Sequence, residues 1–323
     1  MEKRKLGRSG IEVSGLGLGC WAIGGETIQK GKPVGWGKVD DQESIRAIHR
    51  AIEMGVNFFD TADTYGAGHS EKVLAVALAG RRDRVVIASK FGYAFNEATR
   101  DQFGPHEDIT PEYVTASCEA SLRRLKTDYL DLYQFHLGRH ERMAEIRDTL
   151  EGLVKTGKIR WYGWSTDSPE SARFFAAGAH CAAIQQNFSV FGGNRETLAI
   201  CEENDLASII RGPLAKGLLT GKFTHQTAFP AEDVRYTWNF REDGDAGRKI
   251  DLLDQLRPIL TGGGRSLTQG ALAYLWAISP QTIPIPGFKT VAQVEENCGA
   301  LAFGPLTRDE AAKIDRLVAT LNG

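Results

Sequence analysis

The chain has 323 residues, 42% of them hydrophobic, enough to bury a large core as one big α/β domain or two smaller ones. Its 39 lysines and arginines against 41 acidic residues give a formal net charge of -2, which offers no electrostatic footprint for nucleic acid. No apolar run approaches the roughly 18 residues of a membrane span, the N-terminus has no signal-like apolar region, and the five cysteines form no C-x-x-C pair, so a cytoplasmic protein with neither membrane segment nor disulfide framework is expected.

The N-terminal segment reads as a hairpin, Lys5-Leu6-Gly7 and then Ile11-Glu12-Val13. Beyond it, compact apolar runs predict eight strands, at residues 16–20, 57–61, 85–89, 130–135, 160–164, 183–185, 208–210 and 282–285. Amphipathic patterns between them predict helices at 41–54, 70–78, 111–125, 142–155, 169–177, 194–203 and 267–278. Thr110-Pro111-Glu112 and Ser168-Pro169-Glu170 mark two helix starts, each a hydroxyl cap followed by proline and an acid in the first turn. Eight strand-helix units in a chain of this length imply an α/β fold, a (β/α)8 TIM barrel with an N-terminal β-hairpin. The rhythm breaks between Lys222 and Leu267, which reads as a large loop after strand 7 with a helix near 250–260, and an extra C-terminal helix is predicted over 307–321. No linker, low-complexity run or internal repeat divides the sequence, so residues 1–323 are expected to form a single barrel domain.

The second strand ends in Asp60 with Tyr65 five residues on, the third closes with Lys90, and the fourth runs into His136. Taken singly, each has an ordinary structural explanation: a capping acid, a surface tyrosine, a snorkelling lysine, a packed histidine. The C-terminal ends of barrel strands, however, converge on one mouth, so the four are expected to share a face. That set suits proton donation to a carbonyl. A free phenol titrates at about 10, and a neighbouring ammonium stabilises the phenolate and is expected to lower that value. Asp60 would hold Lys90 charged, and His136 would orient the substrate oxygen.

Further segments run through nearly the whole chain: Leu6-Gly-Arg-Ser-Gly-Ile-Glu-Val-Ser, Ala88-Ser-Lys-Phe, Asp131-Leu-Tyr-Gln-Phe-His, Gly157-Lys-Ile-Arg, Gly212-Pro-Leu-Ala-Lys-Gly-Leu-Leu-Thr-Gly-Lys and Ile285-Pro-Gly-Phe-Lys-Thr. With the Asp60 to Gly66 segment, they resemble the aldo-keto reductases. The resemblance implies hydride transfer from a nicotinamide to a small-molecule aldehyde or ketone, sugars and their derivatives included. In it Tyr65 is the general acid, Lys90 and Asp60 its tuning pair, and His136 the orienter of the carbonyl. It further implies that Gly19, Cys20 and Trp21 lie near the nicotinamide beside Asp60, although a buried thiol and a packed indole are the alternative for the last two. Ser165 and Gln185, with Thr166 adjoining, would hold the carboxamide. Gly212, Pro213, Leu214, Gly217 and Lys222 would fold over the pyrophosphate, and Gly287, Lys289, Thr290, Gln293, Glu296 and Asn297 would hold the adenosine end.

The chain departs from the family pattern at Thr166, where many relatives have asparagine, and at Arg211, where an aromatic ring commonly stacks on the nicotinamide; a guanidinium plane can stack instead. Lys289 and Thr290 precede a helix expected near Val291, and an ammonium and a hydroxyl at a helix N-terminus suit the 2′-phosphate of NADP. NADPH is therefore the expected cofactor, with NAD left open because one lysine is a point charge and not a bidentate clamp. No histidine spacing suggests a metal, and Trp238 in the long loop is a candidate for shaping the substrate pocket. The sequence specifies neither a particular carbonyl nor an oligomeric state. The alternative function is that of relatives resembling potassium-channel β subunits, which bind cofactor with little turnover; the intact tetrad favours catalysis.

Overall fold

Runs such as Val86–Phe91 and Leu130–Phe135 are buried at every position, the pattern of parallel strands covered on both faces. In the computed structural model, which describes residues 3–138 and 140–319, eight strands pair in parallel in chain order. They are β1 (Leu18–Gly19), β2 (Phe58–Asp60), β3 (Val86–Phe91), β4 (Leu130–Phe135), β5 (Ile159–Ser165), β6 (Cys181–Ser189), β7 (Ala207–Arg211) and β8 (Thr282–Pro284). A parallel bridge between Gly19 and Gly287 closes the ring, supported by Gly17 N–H donating to Pro284 O at 2.9 Å and Gly19 N–H to Pro286 O at 3.0 Å. A Cβ on Gly19 would sit 2.8 Å from Ile285 O, so the seam requires a residue without a side chain.

The helices are α1 (Asp41–Glu53), α2 (His69–Ala77), α3 (Pro111–Leu125), α4 (Met143–Lys155), α5 (Pro169–Ala176), α6 (Arg195–Glu203), α7 (Asp245–Leu260), α8 (Leu267–Ile278), α9 (Val291–Gly299) and α10 (Arg308–Ala319). All but α7 and α10 alternate with the strands, which makes this the expected (β/α)8 barrel. The two exceptions are the helix of the long loop and the extra C-terminal helix; residues 320 and 321 of the latter's predicted span lie outside the described residues. The caps read from the sequence are formed. Thr110 Oγ1 accepts from Tyr113 N–H at 3.2 Å, and Ser168 Oγ from Ser171 N–H at 3.3 Å.

Apolar burial is divided by the barrel wall. Leu6 and Val13 of the N-terminal hairpin, strands Lys3–Lys5 and Glu12–Ser14, join inward residues such as Phe58, Leu132 and Ile283. The hairpin thereby plugs the N-terminal end of the barrel, and ligands are left the opposite end. A larger cluster fills the layer between strands and helices.

Three features differ from the sequence reading. Only Leu18–Gly19 of the expected first strand is ladder-paired, and β6 runs on to Ser189 where it pairs Gly192–Gly193. A small four-stranded sheet from Ile28–Gln29, Lys32–Pro33, Tyr93–Asn96 and Asp101–Pro105 stands on the loops after β1 and β3. Its strands are short and largely polar, with no alternation to betray them; they exist because two loops meet.

Candidate active site

Asp60 is the last residue of β2, Lys90 lies in β3, and His136 follows β4, so three neighbouring strands deliver them to the open end. Tyr65 arrives on the turn after β2, with its N–H donating to Ala62 O at 3.2 Å. That turn is pressed against the Ala22–Gly24 turn through two glycines. A Cβ on Gly66, at φ +62°, would stand 2.1 Å from Gly24 O.

The four side chains meet. The ammonium of Lys90, with no solvent exposure, donates to Asp60 Oδ1 at 2.5 Å, Thr61 O at 2.8 Å and Tyr65 Oη at 3.2 Å, so all three of its donors are used. The ring of His136 stands edge-on to Tyr65 with centroids 5.8 Å apart and edge-on to Tyr93 at 5.1 Å. His136 Nδ1 is buried and has no hydrogen-bond partner. Trp21 stacks on Tyr65 at 6.1 Å and forms one aromatic wall.

The electrostatics amend one expectation. Burial pushes the Tyr65 phenol above its ordinary value; Lys90 pulls it back only in part, and Asp60 adds to the rise. The net direction is therefore up, opposite to the lowering expected from the ammonium alone, because spacing along a sequence does not report depth of burial. For Lys90, burial works against the ammonium, but Asp60 and Tyr65 outweigh it and the net shift is upward. Burial, with the charges of Lys90 and Arg211, holds His136 well below its usual range, so the imidazole is neutral at pH 7.

The other predicted residues divide by place. Ser165 and Gln185 lie side by side in β5 and β6, and Thr166 N–H donates to Gln185 O at 2.8 Å. The Gln185 Nε2 donates to Asp60 Oδ2 at 2.8 Å. Cys20 is fully buried with its thiol toward Leu18 O, which matches the buried-thiol alternative. Arg211, at the end of β7, is ion-paired to Asp167.

The loop after β7 turns sharply, with left-handed backbone at Gly212, Ala215, Lys216 and Gly217, and Pro213 and Leu214 between them. Lys222 lies over Phe223. Trp238, half-buried, packs with Phe229 and Phe240 in an apolar cluster that also takes in Leu218 and Ile250. At the far end, Thr290 caps α9, Lys289 N–H donates to Gln293 Oε1 at 2.7 Å, Asn297 Nδ2 to Gly287 O at 3.3 Å, and Ser266 Oγ to Glu296.

Lys289 does not project into solvent. Its ammonium donates to the carbonyls of Trp36 and Lys38, on the loop after β1. That loop also bridges the long loop, Trp36 pairing with Asp233 and Val234 N–H donating to Gly35 O at 3.2 Å. Arg235 lies over both Trp36 and Phe229 at this junction.

One buried side chain in the cluster was not singled out by sequence. Gln134 in β4, without solvent exposure, donates through Nε2 to Asp60 Oδ2 at 3.1 Å. Its signal was its place in the strand, two residues before His136 and hence on the same face. Among the described residues, no group of three or more metal-ligating side chains gathers, and no helix is long and apolar enough to cross a membrane.

A family model described as the aldo/keto reductase family matches residues 15–319. An uncharacterized oxidoreductase of Bacillus subtilis, YqkF, is 32% identical over 313 residues, covering 96% of this chain and 94% of its own. The structure of the glycerol dehydrogenase AKR11B4 from Gluconobacter oxydans is similar at a TM-score of 0.84 and 30% identity, over 98% of this chain and 95% of that one. An aldo/keto reductase from Klebsiella pneumoniae, solved in complex with NADP and acetate, has a TM-score of 0.71 and 26% identity, over 98% and 96% of the two chains.

Proposed function

Because the chain belongs to the aldo/keto reductase family, we propose that it is an NADPH-dependent reductase of aldehydes or ketones, sugar-derived carbonyls among them, with Tyr65 giving the proton. One observation carries the reading: Lys90 touches both Asp60 and Tyr65 from a fully buried position. A barrel needs no such ion pair at its mouth for stability, since buried pairs contribute little net energy over apolar packing.

The residues present fit a nicotinamide cofactor. The Ser165 hydroxyl has no hydrogen-bond partner among the described residues, and Gln185, whose amide nitrogen is engaged by Asp60, has its carbonyl oxygen left to accept from a carboxamide. The left-handed turn at Gly212 to Gly217, with Lys216 and Lys222, offers backbone and cations to a pyrophosphate. Lys289 and the N-terminus of α9 suit the 2′-phosphate that separates NADP from NAD. When bound, the reduced nicotinamide supplies the hydride.

The chain's own residues do the rest. Neutral His136 gives an N–H to the carbonyl oxygen without placing a second positive charge beside Lys90. Burial keeps the Tyr65 phenol protonated at neutral pH, so the acid is loaded before substrate arrives. As that proton leaves, the Lys90 ammonium at 3.2 Å stabilises the phenolate, and Asp60 holds the ammonium in place. Trp21 against Tyr65 and Tyr93 against His136 wall the space where the carbonyl would lie.

We place this chemistry in a single barrel domain, 1–323, acting in the cytoplasm on a small-molecule substrate. The test is consumption of NADPH by the purified protein with a panel of aldehydes, ketones and sugars. Turnover of several members supports the reading; tight cofactor binding with no turnover on any would favour a binding role instead.

A further inference from the structure

Asp60 presents two oxygens, and they face different halves of the site. Oδ1 accepts from Lys90 on the proton-donating side, while Oδ2 accepts from both Gln134 at 3.1 Å and Gln185 at 2.8 Å. Gln185 Nε2 also approaches Gln134 Oε1 at 3.4 Å. Asp60, Gln134 and Gln185 come from β2, β4 and β6, yet they form one buried triangle inside the barrel. Gly163 of β5, in register with Gln134, leaves no side chain to stand between the two amides.

The orientation of Gln185 follows from this triangle. A carboxylate paired to an ammonium can only accept, so each glutamine must turn its NH2 toward Asp60. The second N–H of Gln185 then has Gln134 Oε1 as its acceptor. With both donors engaged inward, the carbonyl oxygen of Gln185 is fixed outward. Remove Gln134, and one donor of Gln185 is left unpaired in a buried site, free to reorient toward any acceptor.

We propose that Gln134 is a positioning residue that locks the Gln185 amide in the orientation that receives a carboxamide N–H, and so ties the nicotinamide site to the Asp60–Lys90–Tyr65 relay. This rests on the function proposed above. It names a residue outside the tetrad whose effect is specific to one end of the cofactor.

The test compares two ligands by equilibrium titration, NADPH and 2′,5′-ADP, which lacks the nicotinamide. Gln134→Met keeps the length of the side chain and removes its hydrogen bonds. It should weaken NADPH roughly three- to tenfold, the size of one buried hydrogen bond, while 2′,5′-ADP binds as to wild type. Gln134→Glu adds a pH readout. While protonated, the introduced carboxyl can still donate to Asp60; once ionised it faces a like charge, so NADPH affinity should fall with rising pH where the wild type stays flat. Wild-type affinity for NADPH in both variants would make Gln134 a packing residue, and equal loss of both ligands would make it a structural one; either overturns the proposal. A wild type that binds 2′,5′-ADP and NADPH but turns over no carbonyl would sink the proposed reaction and leave this inference standing. A wild type that binds neither ligand would sink both.

Discussion

The Lys90 ammonium sits 3.2 Å from the Tyr65 phenol oxygen, inside a site that raises the phenol's pKa in spite of that charge. Removing the hydroxyl should therefore stop proton donation and little else. Tyr65→Phe is expected to lower kcat by about 10²–10⁴, with the dissociation constant for NADPH unchanged. Steady-state rates and a fluorescence titration check this, and near wild-type turnover would remove Tyr65 from the mechanism.

Lys90→Met should damage the fold as well as the reaction. It leaves Asp60 as a buried carboxylate without its counter-ion, a loss on the order of 3–5 kcal/mol. Adding Asp60→Asn should recover much of that stability without recovering activity. Urea unfolding of the single and double variants measures the first half of the claim and carbonyl reduction the second.

His136 supplies a pH signature. Its folded pKa lies well below its unfolded value of about 6.5, chiefly through burial. Below that value the unfolded chain takes up a proton that the folded chain refuses, so the contribution is fully present above it and lost as pH falls toward the folded pKa. Stability should decline from pH 7 toward pH 5, and His136→Gln should flatten that decline. An unchanged slope in denaturant titrations would mean that another group controls it.

Lys289 is held by the carbonyls of Trp36 and Lys38. Lys289→Ala should raise the KM for NADPH more than that for NADH, and the difference should shrink as salt screens the ammonium–phosphate attraction. Equal effects on both coenzymes would make Lys289 a strut between loops rather than a reader of the 2′-phosphate.

Gly66→Ala forces a methyl group against Gly24 O and a left-handed backbone on alanine. Because Tyr65 is the adjacent residue, kcat should fall further than the binding of NADPH weakens. A variant with wild-type kcat would show that the turn tolerates displacement.

How far the site could be read from sequence depended on whether its residues ended an apolar run. Asp60, Lys90 and His136 each do, and Tyr65 follows at a fixed short distance, so four side chains that meet in space were visible on the page. Gln134 lies within the run and not at its end, so only its two-residue offset from His136 marks it. Lys289 could be seen as a cation before a helix, but its partners Trp36 and Lys38 lie about 250 residues away, on a loop with no recognisable pattern. The eight-fold alternation gave the barrel, since each unit repeats the same burial logic. The small sheet above it arises from one encounter between two loops, which no periodicity encodes.

The seam between Gly19 and Gly287 has a consequence for synthesis. From β1 to β8, each strand pairs with the one made just before it and can zip up as the chain emerges. Closure is different: its hydrogen bonds require Pro284 and Pro286 to meet Gly17 and Gly19, made more than 260 residues earlier. Until then the growing sheet carries two unpaired edges, the feature most prone to edge-to-edge association. The open-edged interval therefore lasts through the synthesis of everything between residues 19 and 284, and chains interrupted before residue 284 should be the ones that chaperones retain.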